Sequence, residues 1–143
     1  MALANVLLVD DEVPFVEAMT RRLTKRDLKI TTAFSGQEAL DRLKEDHGIE
    51  IVILDVKMPG MDGIEALRKI KKGYPLVEVV MLTGHATVES AIEGMKLGAF
   101  DYLMKPCDMD QLITKVREAV AKKRQHEDKI VEARMKEITG RRV

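Results

Sequence analysis

The sequence predicts a doubly wound α/β fold: a five-stranded parallel sheet in the order 2-1-3-4-5, flavodoxin-like, with helices on both faces. Three observations predict it. Five short runs rich in Val, Ile and Leu recur at 5–9, 28–33, 51–54, 77–82 and 99–104. They show little polar alternation, as strands covered on both faces require. Amphipathic stretches of helical period separate them, and capping or glycine punctuation marks several of the joins. Strand–helix alternation repeated five times implies parallel strands joined by right-handed crossovers.

The elements follow in order. After run 5–9, Phe15, Met19 and Leu23 recur every four residues, one stripe of a helix that starts near Pro14. After run 28–33, Ser35 with Glu38 three residues on predicts a capping box, and Ala39 and Leu43 continue the stripe. Leu67 and Ile70 mark the third helix; Val88, Ile92 and Met95 mark the fourth. Gly48, Gly73 and Gly98 each stand where a helical pattern stops. From Asp108 to about residue 137 the pattern predicts one long helix, with Gly140 past its end. Its apolar positions Leu112, Ile113, Val116, Ala119 and Val120 give way to polar residues over 121–129, then return at Ile130, Val131, Met135 and Ile138.

Composition narrows the class. A length of 143 residues suits one core-bearing domain, and 45% hydrophobic with 34% charged residues is a globular balance. Five aromatics, no Trp and nine Met predict an aliphatic core with flexible fillers. A single Cys excludes an internal disulfide and fits a reducing compartment. The N-terminus lacks the pattern of a signal peptide and no run reaches the length of a membrane span, so the expectation is a soluble, cytoplasmic chain. Zero net charge hides an asymmetry, since residues 122–143 carry eight Lys/Arg against four Asp/Glu. Those charges are mixed, as on a solvated helix face, and direct nucleic-acid contact by this chain is not expected.

In the predicted topology, ligands bind outside the carboxyl ends of the strands. Asp10, Asp11 and Glu12 follow the first strand, Asp55 ends the third, Thr83 the fourth, and Lys105-Pro106 the fifth. Carboxylates crowded together repel unless a cation offsets them, and oxygen donors without His or Cys suit Mg²⁺. A carboxylate can also act as nucleophile toward phosphorus, with a lysine and a hydroxyl binding the phosphoryl oxygens. No separate base is needed, because an ordinary aspartate is ionised at neutral pH.

The segments LLVDDE, ILDVKMPGMDG, VVMLTGHA and FDYLMKPCD resemble the receiver domain of two-component response regulators, over about residues 4–122. The resemblance is to chemotaxis-type receivers in general and, through VVMLTGHAT and YLMKPCDMDQL, to those attached to sigma-54-dependent activators. It implies that Asp55 is the phosphoacceptor and that Asp10, Asp11, Asp55 and the Lys57 main-chain carbonyl hold Mg²⁺. It further implies that Thr83 and Tyr102 form the conformational switch and that Lys105 binds the phosphoryl group, with a cis bond before Pro106. Lys57 and His85 occupy positions that tune the lifetime of the acyl phosphate. Asp62 is expected to be a turn or cap residue, with Gly63 near the next helix start. Glu12 is expected to open a helix in preference to contacting metal, and Cys107 and His126 to carry no chemistry.

The implied function is phosphorelay signalling without turnover of a separate substrate. A sensor histidine kinase or histidine phosphotransfer protein would be the donor, and the face formed by the fourth helix, fifth strand and fifth helix would meet partners. Residues 1–122 form the expected receiver, and 123–143 a helical extension. That extension is either a solvated overhang or a linker, favoured here, that could form a homodimer and lead to an output domain. Two rivals belong to other classes. A receiver-like binding module that takes no phosphate would ordinarily lack part of the constellation. An aspartate-nucleophile phosphatase would ordinarily carry a second acid where Lys57 stands.

Overall fold

The computed structural model describes residues 3–140. Residues 1–2 and 141–143, the outer ends of the expected units 1–122 and 123–143, lie outside the described residues. Ten elements alternate: β1 (Ala4–Val9), α1 (Val13–Thr24), β2 (Leu28–Ala33), α2 (Gly36–Glu45), β3 (Ile51–Leu54), α3 (Gly63–Gly73), β4 (Glu78–Thr83), α4 (Val88–Lys96), β5 (Asp101–Met104) and α5 (Met109–Gly140). All strand pairs are parallel, in the order β2-β1-β3-β4-β5.

Alternation along the strands divides the interior into two cores. Val6, Leu8, Ile51, Ile53, Val80 and Leu82 meet α1 and α5 through Val16, Met19, Leu23, Leu112, Val116 and Val120. Leu7, Val9, Val52, Leu54, Val79 and Met81 turn the other way, toward Ala39, Leu43, Ala66, Leu67 and Ile70 of α2 and α3. Because both faces are covered, β3 and β4 are buried at every residue. The edge strands β2 and β5 keep partly exposed positions, which explains the Lys29 and Thr31 that interrupt the second run.

Register sets the functional end. Val9 pairs with Leu54, so Asp10 and Asp55 are the first residues past two neighbouring strand ends. Thr83 pairs with Met104, and the Lys105 amide donates to the Thr83 carbonyl at 2.8 Å. Four residues scattered over nearly a hundred positions are therefore gathered at one edge of the sheet.

Local chemistry departs from the sequence expectation in three places. The Ser35 hydroxyl accepts from the Glu38 amide, but the Glu38 carboxylate reaches back to the Phe34 amide, so the expected box is displaced by one residue. The reciprocal box lies instead at Thr87 and Ser90 of α4. Of the three glycines at helix ends, only Gly98 takes the left-handed conformation, at φ 103°. The third departure is α4 itself. The helix forms where its period predicts, yet Val88, Ile92 and Met95 are 76%, 51% and 47% exposed, and only Gly94 is buried. That apolar stripe faces outward beside the equally exposed Met104 of β5.

Helix α5 packs on the sheet as far as Val120 and then continues without a break through Gly140, where a stop before that glycine was predicted. Lys122 reaches Glu78, and Arg124 makes a two-pronged contact with Glu50 and a third bond to the Leu3 carbonyl. Beyond this anchor the helix is almost wholly exposed, including Ile130, Val131, Met135 and Ile138.

Candidate functional site

Asp10 and Asp55 are 1% and 2% exposed, and Thr83 is fully buried. Burying two carboxylates side by side is costly unless each is compensated. One Asp10 oxygen accepts from the Glu12 amide at 2.9 Å, and the other contacts the Lys105 ammonium at 2.5 Å. Asp55 accepts from the Val56 amide at 2.8 Å and lies 3.8 Å from the same ammonium. Lys105 is itself 3.6 Å from Glu12, and its ammonium stands 3.9 Å from the centre of the Phe15 ring. One cation thus serves three acids.

Burial pushes the Asp10 carboxyl above its ordinary range, and the neighbouring Asp55 charge adds to the rise. The bonds from Lys105 and the Glu12 amide oppose this without cancelling it. For Lys105, burial favours losing the proton. The hydrogen bond to Asp10 and the charges of Asp10, Asp55 and Glu12 outweigh burial, so the net shift is upward and the ammonium persists.

Asp11 is exposed, yet carboxylate oxygens of Asp10, Asp11 and Asp55 all lie within 4.8 Å of one another. This is an all-oxygen donor set of three acids with an open side toward solvent. Donor chemistry of that kind fits a small hard divalent cation that keeps part of its water, Mg²⁺ above all.

Beside the acids opens a cleft of about 480 Å³ lined by Asp11, Glu12, Lys57, Met58, Pro59 and His85. A second, of about 450 Å³, lies between the loops after β3 and β4 and shares Lys57 and His85. Backbone geometry fixes these walls. Asp62 caps α3 by accepting from the Glu65 amide at 2.8 Å, as expected of a cap residue. The Gly63 amide donates to the Val56 carbonyl at 2.6 Å, and a Cβ on Gly63 would meet the Asp55 carbonyl oxygen at 1.9 Å. Only a residue without a side chain lets α3 begin this close to Asp55. The Lys105–Pro106 bond is cis.

Toward α4, the Thr83 hydroxyl accepts from the His85 amide at 3.0 Å. The Tyr102 hydroxyl is 2.6 Å from the Ser90 hydroxyl, and its ring packs near Gly94. The site residues named from the sequence therefore fall in three places. Asp10, Asp11, Asp55 and Lys105 form a tight cluster, Lys57 and His85 flank the mouth, and Tyr102 stands apart against α4. Two participants, Phe15 and Ser90, are not among the site residues named from the sequence, and a third, Glu12, is expected only to open a helix. Phe15 was assigned only to a helix stripe. Ser90 was not singled out, although Thr87-x-x-Ser90 has capping-box spacing. Glu12 occupies the N-cap of α1 but makes no side-chain cap, and its carboxylate turns to Lys105 instead.

Comparison with known proteins agrees over most of the chain. Residues 6–117 match the family model described as response regulator receiver domain. The DNA-binding transcriptional regulator NtrC of Klebsiella pneumoniae is 37% identical over 114 residues, which are 80% of this chain and 24% of that protein. The transcriptional regulatory protein ZraR of Escherichia coli strain K12 is 36% identical over 117 residues, 82% of this chain and 26% of that protein. This chain thus spans about a quarter of the length of these relatives. Among solved structures, a response regulator receiver domain protein from Clostridium thermocellum superposes with a TM-score of 0.82 at 37% identity, covering 86% of this chain and 98% of that one. NtrX from Brucella abortus, in complex with ADP, superposes with a TM-score of 0.81 at 32% identity, covering 90% of this chain and 29% of that one.

Proposed function

The chain belongs to the response regulator receiver domain family, and on that premise we propose that Asp55 accepts a phosphoryl group from the phosphohistidine of a sensor kinase or phosphotransfer protein. An Asp55 oxygen forms the new bond to phosphorus as the donor's P–N bond breaks, and the electron pair of that bond stays on the imidazole nitrogen. The single observation that carries the reading is the position of Asp55. It is a buried carboxylate at the end of a rigid strand, with one oxygen oriented by the Val56 amide and an ammonium 3.8 Å away.

Asp10, Asp11, Asp55 and the Lys57 carbonyl would hold Mg²⁺, which supplies charge neutralisation for the incoming phosphoryl group. Lys105 binds a phosphoryl oxygen and the Thr83 hydroxyl another, so positioning and electrostatics supply the catalysis. Lys57 and His85, at the mouth of both clefts, govern the access of water to the acyl phosphate. When Thr83 turns toward the phosphoryl group, the His85 amide loses its acceptor, the loop leading to α4 is released, and Tyr102 is free to leave Ser90. The output is a changed surface on α4 and β5, where Val88, Ile92, Met95 and Met104 already lie exposed. No separate substrate is turned over. Among the described residues no helix is long and apolar enough to cross a membrane. By analogy with the NtrC and ZraR relatives, the signal would pass to an output domain that acts in transcription.

Intact mass after incubation with a small acyl-phosphate donor and Mg²⁺ tests the assignment. A single hydroxylamine-labile phosphoryl adduct should form, absent from Asp55→Asn and from a chelated sample. Labelling of Asp55→Asn at the native rate would overturn it.

A further inference from the structure

Among the described residues the Lys105 ammonium has four neighbours, and three of them are the carboxylates of Asp10, Glu12 and Asp55. The fourth is the ring of Phe15, half-buried on the first turn of α1, with its centre 3.9 Å from the nitrogen. An ammonium at that distance over an aromatic face is held by the ring quadrupole, more strongly where water is partly excluded. The Lys105 side chain is only 15% exposed.

The four contacts differ in one respect. A divalent cation among the acids would neutralise much of the charge by which Asp10 and Asp55 hold Lys105. The ring is not a donor to such a cation, so its attraction is left unchanged. Lysine has a long, freely rotating stem, and an ammonium released by the acids would otherwise move into water at the step that needs it beside Asp55. We propose that Phe15 is a positioning residue for phosphoryl transfer, its ring face keeping the Lys105 ammonium at Asp55 when the acids no longer do. The proposal rests on the reading of Asp55 as phosphoacceptor.

The test uses Phe15→Leu and Phe15→Tyr, each in the native and the Lys105→Met backgrounds, with the rate of adduct formation followed by intact mass. Leucine keeps the packing of α1 and removes the π face; tyrosine restores the face. Phe15→Leu should slow labelling about fivefold, the size of one partly desolvated cation–π contact. Phe15→Tyr should recover the native rate, and Phe15→Leu should have no further effect once Lys105 is Met. The same slowing in both backgrounds would overturn the proposal, because the ring would then act through packing alone.

A second readout needs no phosphorylation. In protein labelled with ¹³C at lysine, the Lys105 ε-methylene resonance, identified by its loss in Lys105→Met, should be shifted upfield by the ring current. The shift should persist at saturating Mg²⁺ and vanish in Phe15→Leu. An unshifted resonance, or one that moves to the ordinary lysine position on adding Mg²⁺, would refute the proposal even if Lys105→Met labels too slowly to time. If the native protein accepts no phosphoryl group, the Asp55 reading fails and the proposed role falls with it, whatever the resonance shows.

Discussion

A Cβ on Gly63 would lie 1.9 Å from the main-chain oxygen of Asp55. Backbone therefore touches backbone where α3 starts, and the proposed phosphoacceptor is braced by the first residue of the next helix. Gly63→Ala should destabilise the fold by about 3 kcal/mol, because neither partner is a flexible side chain able to give way. Gly73→Ala is the control. Nothing lies within 4 Å of a Cβ there and the residue is helical, so a gain of up to about 1 kcal/mol is expected. Urea midpoints at unchanged slope would measure both, and equal midpoints for the two variants would contradict the account.

Lys105 and a divalent cation compete for the same acid. Lys105→Met should weaken the metal-free protein, leaving Asp10 and Asp55 buried without their counter-charge, while tightening Mg²⁺ binding. Thermal melts across a Mg²⁺ titration would show a lower starting temperature and a half-effect at lower Mg²⁺ than in the native chain. A half-effect at higher Mg²⁺ would mean that the ammonium supports the metal and does not compete with it.

Glu78 is 1% exposed at the opposite end of the sheet, between Lys71 at 3.6 Å and Lys122 at 3.4 Å. Burial holds Lys71 below its ordinary 10.5, and the Glu78 charge limits the drop. Between the native value and 10.5 the unfolded chain binds more protons, so stability from this group rises with pH across that window. Glu78→Gln should cost about 1–3 kcal/mol at neutral pH, because the partly buried Lys71 ammonium loses its counter-charge and keeps only its bonds to the Pro75 and Val77 carbonyls. It should also lower the native Lys71 value further and extend the rising window toward neutrality. Denaturation at a series of alkaline pH values would reveal the extra slope, and curves parallel to the native protein's would exclude the mechanism.

Ser90 ties two functions together, since its hydroxyl completes the α4 cap and meets Tyr102 at 2.6 Å. Ser90→Ala should cost about 1 kcal/mol from the cap. It should also free the Tyr102 ring to leave α4 without phosphorylation, which side-chain NMR of Tyr102 would detect. An unchanged Tyr102 environment would place the ring under the control of packing alone.

Legibility in the sequence followed the physics of each feature. Strands and their acidic, hydroxyl and lysine endings were readable because a buried parallel sheet demands near-continuous apolar runs, and those of β1, β3, β4 and β5 stop on a polar group. The outward stripe of α4 was not, because period reports that Val88, Ile92 and Met95 share a side and is silent on whether anything covers it. Glu78 looked like part of an apolar run. Its partners Lys71 and Lys122 come from α3 and α5, so nothing local announced a buried charge. Phe15 satisfied the core period so well that its second role, under an ammonium ninety residues away, left no separate mark.

The continuous α5 has a mechanical consequence. From Val120, the last buried residue of α5 among the described ones, the helix continues to Gly140, about 30 Å at the helical rise. Glu78 and Glu50, at the start of β4 and just before β3, grip it at its root through Lys122 and Arg124. A rod clamped in this way multiplies small angles. A tilt of about 5° at the root carries the tip about 2.6 Å, given a straight helix of that length. Modest rearrangement within the sheet can thus be felt at a distance with no loss of helical structure along the way.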